Sequence, residues 1–281
     1  MLQTLLTALL IGMPGVQQTD TIVPVDPDAR LRLDLMRGDV TIRTWDRSEM
    51  RIVADHDERD RIEISAGPAV VRINARAYRG VPADVDLQLT VPRSMGVEME
   101  GPFLDVDIRG SEGEVTVETV QGDIHLEGGR RFVTLHSVQG DVHCSGAAGR
   151  INIGSANGDL HVLRSSGEMT LEGVNGEIFL TDVESEVVRA TTVNGEISYR
   201  GTLRDNGQYS FATHNGDLMI AIPAGTNATV SVSTHMGEFE ADFPVTLQDM
   251  GPRTRFNFVL GSGGARIQLE SFGGTIYLRR P

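Results

Sequence analysis

Lysine is absent from this sequence: all 25 basic residues are arginine, set against 39 Asp and Glu, and the net charge is −14. No basic stripe interleaves with aromatics, which make up only 5% of the chain, and this argues against a general electrostatic grip on nucleic acid. A single cysteine, Cys144, cannot form an internal disulfide, and its place among apolar residues reads as a small core side chain. No apolar run reaches the roughly 18 residues of a membrane-crossing helix, and neither a lipobox cysteine nor a carboxy-terminal anchor pattern is present. The G-x-S-x-G elbow, the H-E-x-x-H helix and the phosphate-cradling glycine loop are all missing.

What the chain does have is a repeat. A Gly, usually followed by Asp or Glu, recurs at Gly122, Gly140, Gly158, Gly176, Gly195, Gly216 and Gly237, with Gly274 closing the series and Leu104 opening it. Counted from that residue, positions −7, −5, −2, +2 and +4 are apolar in nine coils, His214 and His235 at −2 being the only polar exceptions. The pairs −7/−5 and +2/+4 are two residues apart, the alternation that places both side chains on one face of a strand. Each coil therefore reads as two short strands joined at an Asn-Gly or Gln-Gly corner, where glycine tolerates φ > 0. One coil cannot bury its own apolar edge, but stacking at a strand spacing of about 4.8 Å buries five continuous columns. The predicted fold is all-β: a right-handed parallel β-solenoid of 18–21-residue coils, the hand following the usual sense of parallel crossovers.

The two ends read differently. Residues 1–19 resemble a secretion signal, with an apolar run from Leu5 to Met13 broken by Pro14 and Gly15, although the first residues carry no basic charge and no A-x-A site follows. Residues 20–95 read as a β cap holding one more copy of the unit around Gly38, separated from the main stack by the alternating strands of 44–91, with turn signals at Gly67-Pro68 and Gly80. Residues 96–281 are the solenoid. An excursion at 242–263, with Pro244, Pro252 and the strand 256–260, is expected to shield the far end.

The V-D-P-x-A-R-L-x-L segment at 25–33, the G-D-V-x-I copy followed by Trp45, the L-T-V-P-R segment at 89–93 and the V-x-G-D/E-I ladder together resemble the DUF4097 adhesin family. The resemblance covers nearly all of the presumed mature chain. It implies a β-solenoid and an adhesin-like role, and it supplies no catalytic motif.

Four rows could carry chemistry. Carboxylates at +1 (Asp105, Asp123, Asp141, Asp159, Glu177, Glu196, Asp217 and Glu238) flank an inward residue and should point outward; one column offers two or three oxygens where Ca²⁺ wants six to eight. Imidazoles at +3 (His125, His143 and His161) lie on consecutive coils beside Asp123, Asp141 and Asp159; this set is the candidate metal site, for a divalent ion such as Zn²⁺ or Cu²⁺, or else a surface stack of aromatic rings, which a stacked column favours. His214 and His235 share the −2 column on coils adjacent in sequence. Hydroxyls run at −6 (Thr116, Thr134, Thr170, Ser210 and Ser231) and at −3 (Thr119, Ser137, Ser155, Thr192, Thr213 and Thr234), a regularity that can match a repeating ligand or simply suit an exposed pleated face. Arg37-Gly38-Asp39 spells an integrin tripeptide but occupies the repeat's ordinary turn position.

The expected function is non-enzymatic: an exported periplasmic, cell-surface or secreted protein whose regular face contacts a protein or glycan partner. It needs no cofactor, unless the imidazole row holds a divalent metal. A second reading is an envelope accessory that assembles end-to-end or edge-to-edge. A third, a carbohydrate-active β-helix enzyme, conflicts with coils that leave about five residues for a return loop, too few to wall a substrate groove.

Overall fold

The computed structural model describes residues 16–57, 60–67, 69–77, 84–251 and 255–281, and no helix occurs among them. Of the sequence features above, most of the leader, Pro68, Gly80 and Pro252 lie outside those residues. Val16–Thr19, read as the end of the leader, begin a strand. The chain divides into two compact units, Met1–Gly129 and Arg130–Pro281.

The first unit contains β1 (Val16–Pro24), β2 (Arg30–Asp34), β3 (Arg37–Trp45), β4 (Glu49–Asp57), β5 (Asp60–Ala66), β6 (Val70–Ala77), β7 (Val85–Pro92), β8 (Gly96–Ser111), β9 (Val115–Gln121) and β10 (Ile124–Gly128). Along one wall β6, β2, the start of β8 and β9 run parallel in register, with Leu31 opposite both Val71 and Val97, and Val97 opposite Val115. Along the other, β7, β3, the end of β8 and β10 do the same, with Val40 opposite both Leu87 and Val106. The copy around Gly38, separated from the main stack in sequence, therefore stacks directly on the first coil. Strands β6 and β7 form a further parallel rung on its other side. Antiparallel strands close this end: β5 on β6, β4 on β7 and β1 on β4.

The second unit contains β11 (Arg130–Gln139), β12 (Val142–Ser145), β13 (Ala148–Asn157), β14 (Leu160–Leu163), β15 (Ser166–Gly173), β16 (Ile178–Thr192), β17 (Ile197–Thr213), β18 (Leu218–Ala221), β19 (Ala228–Thr234), β20 (Phe239–Ala241), β21 (Gln248–Gly251), β22 (Arg255–Leu260), β23 (Ala265–Ser271) and β24 (Ile276–Arg279). Rungs stack in sequence order up to β17–β18, and then the order breaks. The carboxy-terminal rung inserts itself: β23 lies between β17 and β19, and β24 between β18 and β20. The excursion supplies β22, which runs antiparallel on β19 and carries β21. The sheet is thus mixed, parallel within the stacks and antiparallel at these closures, in place of a purely parallel solenoid.

The core follows four of the five columns. Every residue at −7 and −5 is buried, from Val97 and Met99 to Ile267 and Leu269. So is every residue at +2 and +4 except Phe239 and Ala241, which are half-buried in β20, a strand that pairs only with β24 among the described elements. Phe239 instead packs against Phe256 and Phe258 of β22. Cys144 fills the +4 column, and burial pushes its thiol up to about 12, which keeps it protonated and inert.

The fifth column is a correction. Val138 at −2 is 46% exposed, whereas Ser137 beside it is 5% exposed. Val120, Val174, Val193 and Phe272 likewise face solvent, while Thr119, Ser155, Thr192, Thr213, Thr234 and Ser271 at −3 are buried. The pleat continues its period of two through −7, −5 and −3, so −2 must point outward.

Candidate functional site

The glycine corner of the second unit concentrates the polar rows, and its construction explains each residue type. The buried hydroxyls at −3 donate to the corner carbonyl of the neighbouring rung: Ser155 Oγ to Gly140 O at 2.9 Å, Thr192 Oγ1 to Gly176 O at 3.2 Å and Thr213 Oγ1 to Gly195 O at 3.0 Å. The −3 hydroxyl row is therefore structural, each such bond contributing about 1 kcal/mol. The same close stacking dictates glycine. A Cβ on Gly195 would lie 1.9 Å from the Gly176 carbonyl oxygen, and one on Gly216 would lie 1.8 Å from that of Gly195. Neither glycine has a positive φ, so steric approach, rather than the left-handed conformation read from sequence, excludes a side chain there.

At −1 the asparagines form a ladder. Asn175 Nδ2 donates to Asn157 Oδ1 at 2.9 Å, Asn194 Nδ2 to Asn175 Oδ1 at 2.8 Å, and Asn215 Nδ2 to Asn194 Oδ1 at 2.8 Å. At +1 the carboxylates turn along the stack and accept from the next backbone amide. Asp141 Oδ1 takes Asp159 N and Asp159 Oδ1 takes Glu177 N, each at 2.8 Å, and Asp217 Oδ1 takes Thr275 N at 2.7 Å. Asp105 does the same for Asp123 N in the first unit. Glu196 holds its proton more tightly than an ordinary glutamate because it is partly buried, with Glu177 and Asp217 adding like charge. Asn194, Glu196, Asn215, Asp217 and the intervening glycines, with Gly273 and Gly274, line an open trough of ≈ 500 Å³.

The imidazole row does not converge. His143 and His161 are stacked with ring centroids 4.5 Å apart and planes 2° from parallel, and Phe179 continues the stack at 4.8 Å. Metal-binding lone pairs lie in the ring plane, so two parallel rings direct them side by side and not to a common point. His125 lies in β10 opposite Asp107, and Asp123 takes its register from Asp105. Asp141 and Asp159 spend an oxygen each on backbone. Among the described residues, no three His, Cys, Asp or Glu side chains are placed to hold a metal ion.

His214 and His235 are not on neighbouring rungs. Phe272 of the inserted rung lies between them, its ring centroid 4.6 Å from that of His214 and 4.7 Å from that of His235. Arg37-Gly38-Asp39 is part of strand β3. Gly38 is buried with no room for a Cβ, Arg37 pairs with Asp84 at 3.5 Å, and burial with Asp105, Asp86 and Asp84 raises the Asp39 carboxyl, so the tripeptide is no protruding loop.

The sequence reading missed the asparagine ladder and the outward −2 row. Both had a signal: the recurrence of Asn before Gly, and the strict alternation from −7 through −3.

No helix among the described residues is long and apolar enough to cross a membrane, which says nothing of β-barrels. No curated protein gives a significant match. Solved structures do. One named "putative adhesin", from Parabacteroides distasonis ATCC 8503, has a TM-score of 0.50 at 9% identity, covering 93% of this chain and 96% of its own. A second of that name, BF0245 from Bacteroides fragilis NCTC 9343, scores 0.43 at 13% identity over 93% and 96%. A "putative lipid binding protein" from Parabacteroides distasonis ATCC 8503 scores 0.46 at 12% identity over 95% and 98%. At such identity these likenesses concern the fold alone. The family model described as Toastrack DUF4097 matches residues 29–279, and with strands, rungs and corner as found, the chain belongs to that family.

Proposed function

We propose that this protein is an exported, non-enzymatic β-solenoid, wound right-handed, that serves as an adhesin-like contact or scaffold surface in the cell envelope or outside it. The observation that carries this reading is the exposed apolar row at the corner, where Val138, Val174 and Val193 stand 46%, 42% and 40% exposed beside a row of carboxylates. Apolar side chains rimmed by charge are the usual makeup of a protein-contact surface. The −3 hydroxyls, the asparagines and the corner carboxylates hold rung to rung through hydrogen bonds, which supports a passive role. The leader-like residues 1–19 support export.

The test is binding of the purified chain to immobilised matrix proteins and glycans, with the double variant Val174→Glu/Val193→Glu compared to the parent. A drop of about tenfold, worth 1.4 kcal/mol, is expected. Turnover of a polysaccharide, or binding indifferent to the double variant, would sink the proposal. A second reading, an accessory that assembles through its sheet edges, is favoured by β1, whose pairing among the described strands is with β4 alone. Concentration-dependent self-association abolished by proline in β1 would select it.

A further inference from the structure

We infer that Asn215 is a site of spontaneous deamidation in the folded protein, while Asn175 and Asn194, set in the same Asn-Gly sequence, are protected. The reaction needs only water. The backbone nitrogen of the following glycine, having lost its proton to solvent base, attacks the asparagine Cγ; the new N–C bond forms as the amide C–N bond breaks and ammonia leaves. Water then opens the resulting succinimide at either carbonyl, giving aspartate or isoaspartate with no change of oxidation state. For this to happen the side-chain amide must swing out of its resting position onto that nitrogen.

Asn157, Asn175, Asn194 and Asn215 are all exposed and all precede glycine, so neither solvent access nor the local sequence separates them. Their place in the ladder does. Asn175 and Asn194 each donate through Nδ2 and accept through Oδ1, so both ends of the amide are held. Asn157 accepts from Asn175 and donates to Val138 O at 3.4 Å. Among the described residues Asn215 only donates, to Asn194 Oδ1. The ladder stops there because the next rung in space is the inserted carboxy-terminal one, whose residue at −1 is Gly273, with no side chain to donate. The fifth Asn-Gly pair, Asn206-Gly207, sits in β17 away from this corner and plays no part in the comparison.

The product would change the corner. An aspartate or isoaspartate at 215 cannot donate to Asn194 Oδ1, and it adds a charge to the trough already lined by Glu196 and Asp217.

The test is peptide mapping by mass spectrometry, with isoaspartate detection, of the native full chain aged in mildly alkaline buffer. Asn215 should lose its amide about fivefold faster than Asn175 or Asn194, the factor one net hydrogen bond is worth. In urea the four rates should converge. Gly273→Asn should slow Asn215, because a Cβ at 273 meets Asn215 Oδ1 at an ordinary 3.6 Å and the added amide extends the ladder. Should that variant misfold, Asn175→Ala on the exposed face removes the donor to Asn157, whose rate should then rise. Native Asn175 or Asn194 reacting as fast as Asn215, or rates unmoved by the variant that folds, would overturn the inference.

Discussion

The Ser271 hydroxyl donates to the Gly216 carbonyl at 3.1 Å across 55 residues of chain. That bond is the same one that Thr213 makes to Gly195 from the next rung along. The last rung in sequence is thus an interior rung in space, held by the corner bond that joins consecutive coils elsewhere.

Removing residues 265–281 should therefore do more than trim a terminal coil. It takes Ile267, Leu269, Ile276 and Leu278 out of the core, each worth about 1.5–3 kcal/mol, and leaves β19–β22 with nothing beneath them. Circular dichroism melts should show the second unit losing its cooperative transition. A truncated chain that melts as the parent does would refute the inserted order.

Thr192 and Val193 are neighbours with opposite duties. Thr192→Val removes the hydroxyl that donates to the part-buried Gly176 carbonyl and should cost about 1 kcal/mol. Val193→Thr, on the exposed side, should stay within about 0.5 kcal/mol. Urea unfolding of the two variants reads the difference directly.

Glycine at the corner should be replaceable only where no rung lies close. Gly195→Ala drives a Cβ against backbone and should lower stability by about 3 kcal/mol or more, among the severe classes of single change. Gly273→Ala, whose nearest contacts are at 3.6 Å, should be close to neutral. Equal melting temperatures for both variants would contradict the stacking.

Glu196 ties stability to pH. Its folded carboxyl binds a proton more tightly than the unfolded one, because of partial burial and the nearby Glu177 and Asp217. Stability from this group is therefore full below the ordinary glutamate range and is lost as pH rises through the raised value. Glu196→Gln should melt higher than the parent at neutral pH, and the advantage should vanish in acid. An advantage that grows in acid would reverse the assignment.

Much of the core was legible because period-two alternation fixes which way a side chain points once the strand is known. Ile178, Leu180, Val188 and Ala190 are buried where the offsets place them. The same rule, carried one residue too far across the corner, put Val193 inside; hydrophobicity outvoted the pleat, and the small hydroxyl of Thr192 was read as surface. The imidazole row was legible either as a metal set or as a surface stack of rings, and the face-to-face packing of His143, His161 and Phe179 takes the second form.

The sequence by itself determined that this protein is all-β, built of coils about 20 residues long whose apolar positions recur at fixed offsets from a turn, and that it belongs with the DUF4097 proteins. Only the tertiary structure decided which rung lies on which. Every coil carries the same inward columns, so the pattern is satisfied by any stacking order. The placing of 265–279 between β17 and β19, with β22 on the other side of β19, consists of contacts that no periodicity encodes.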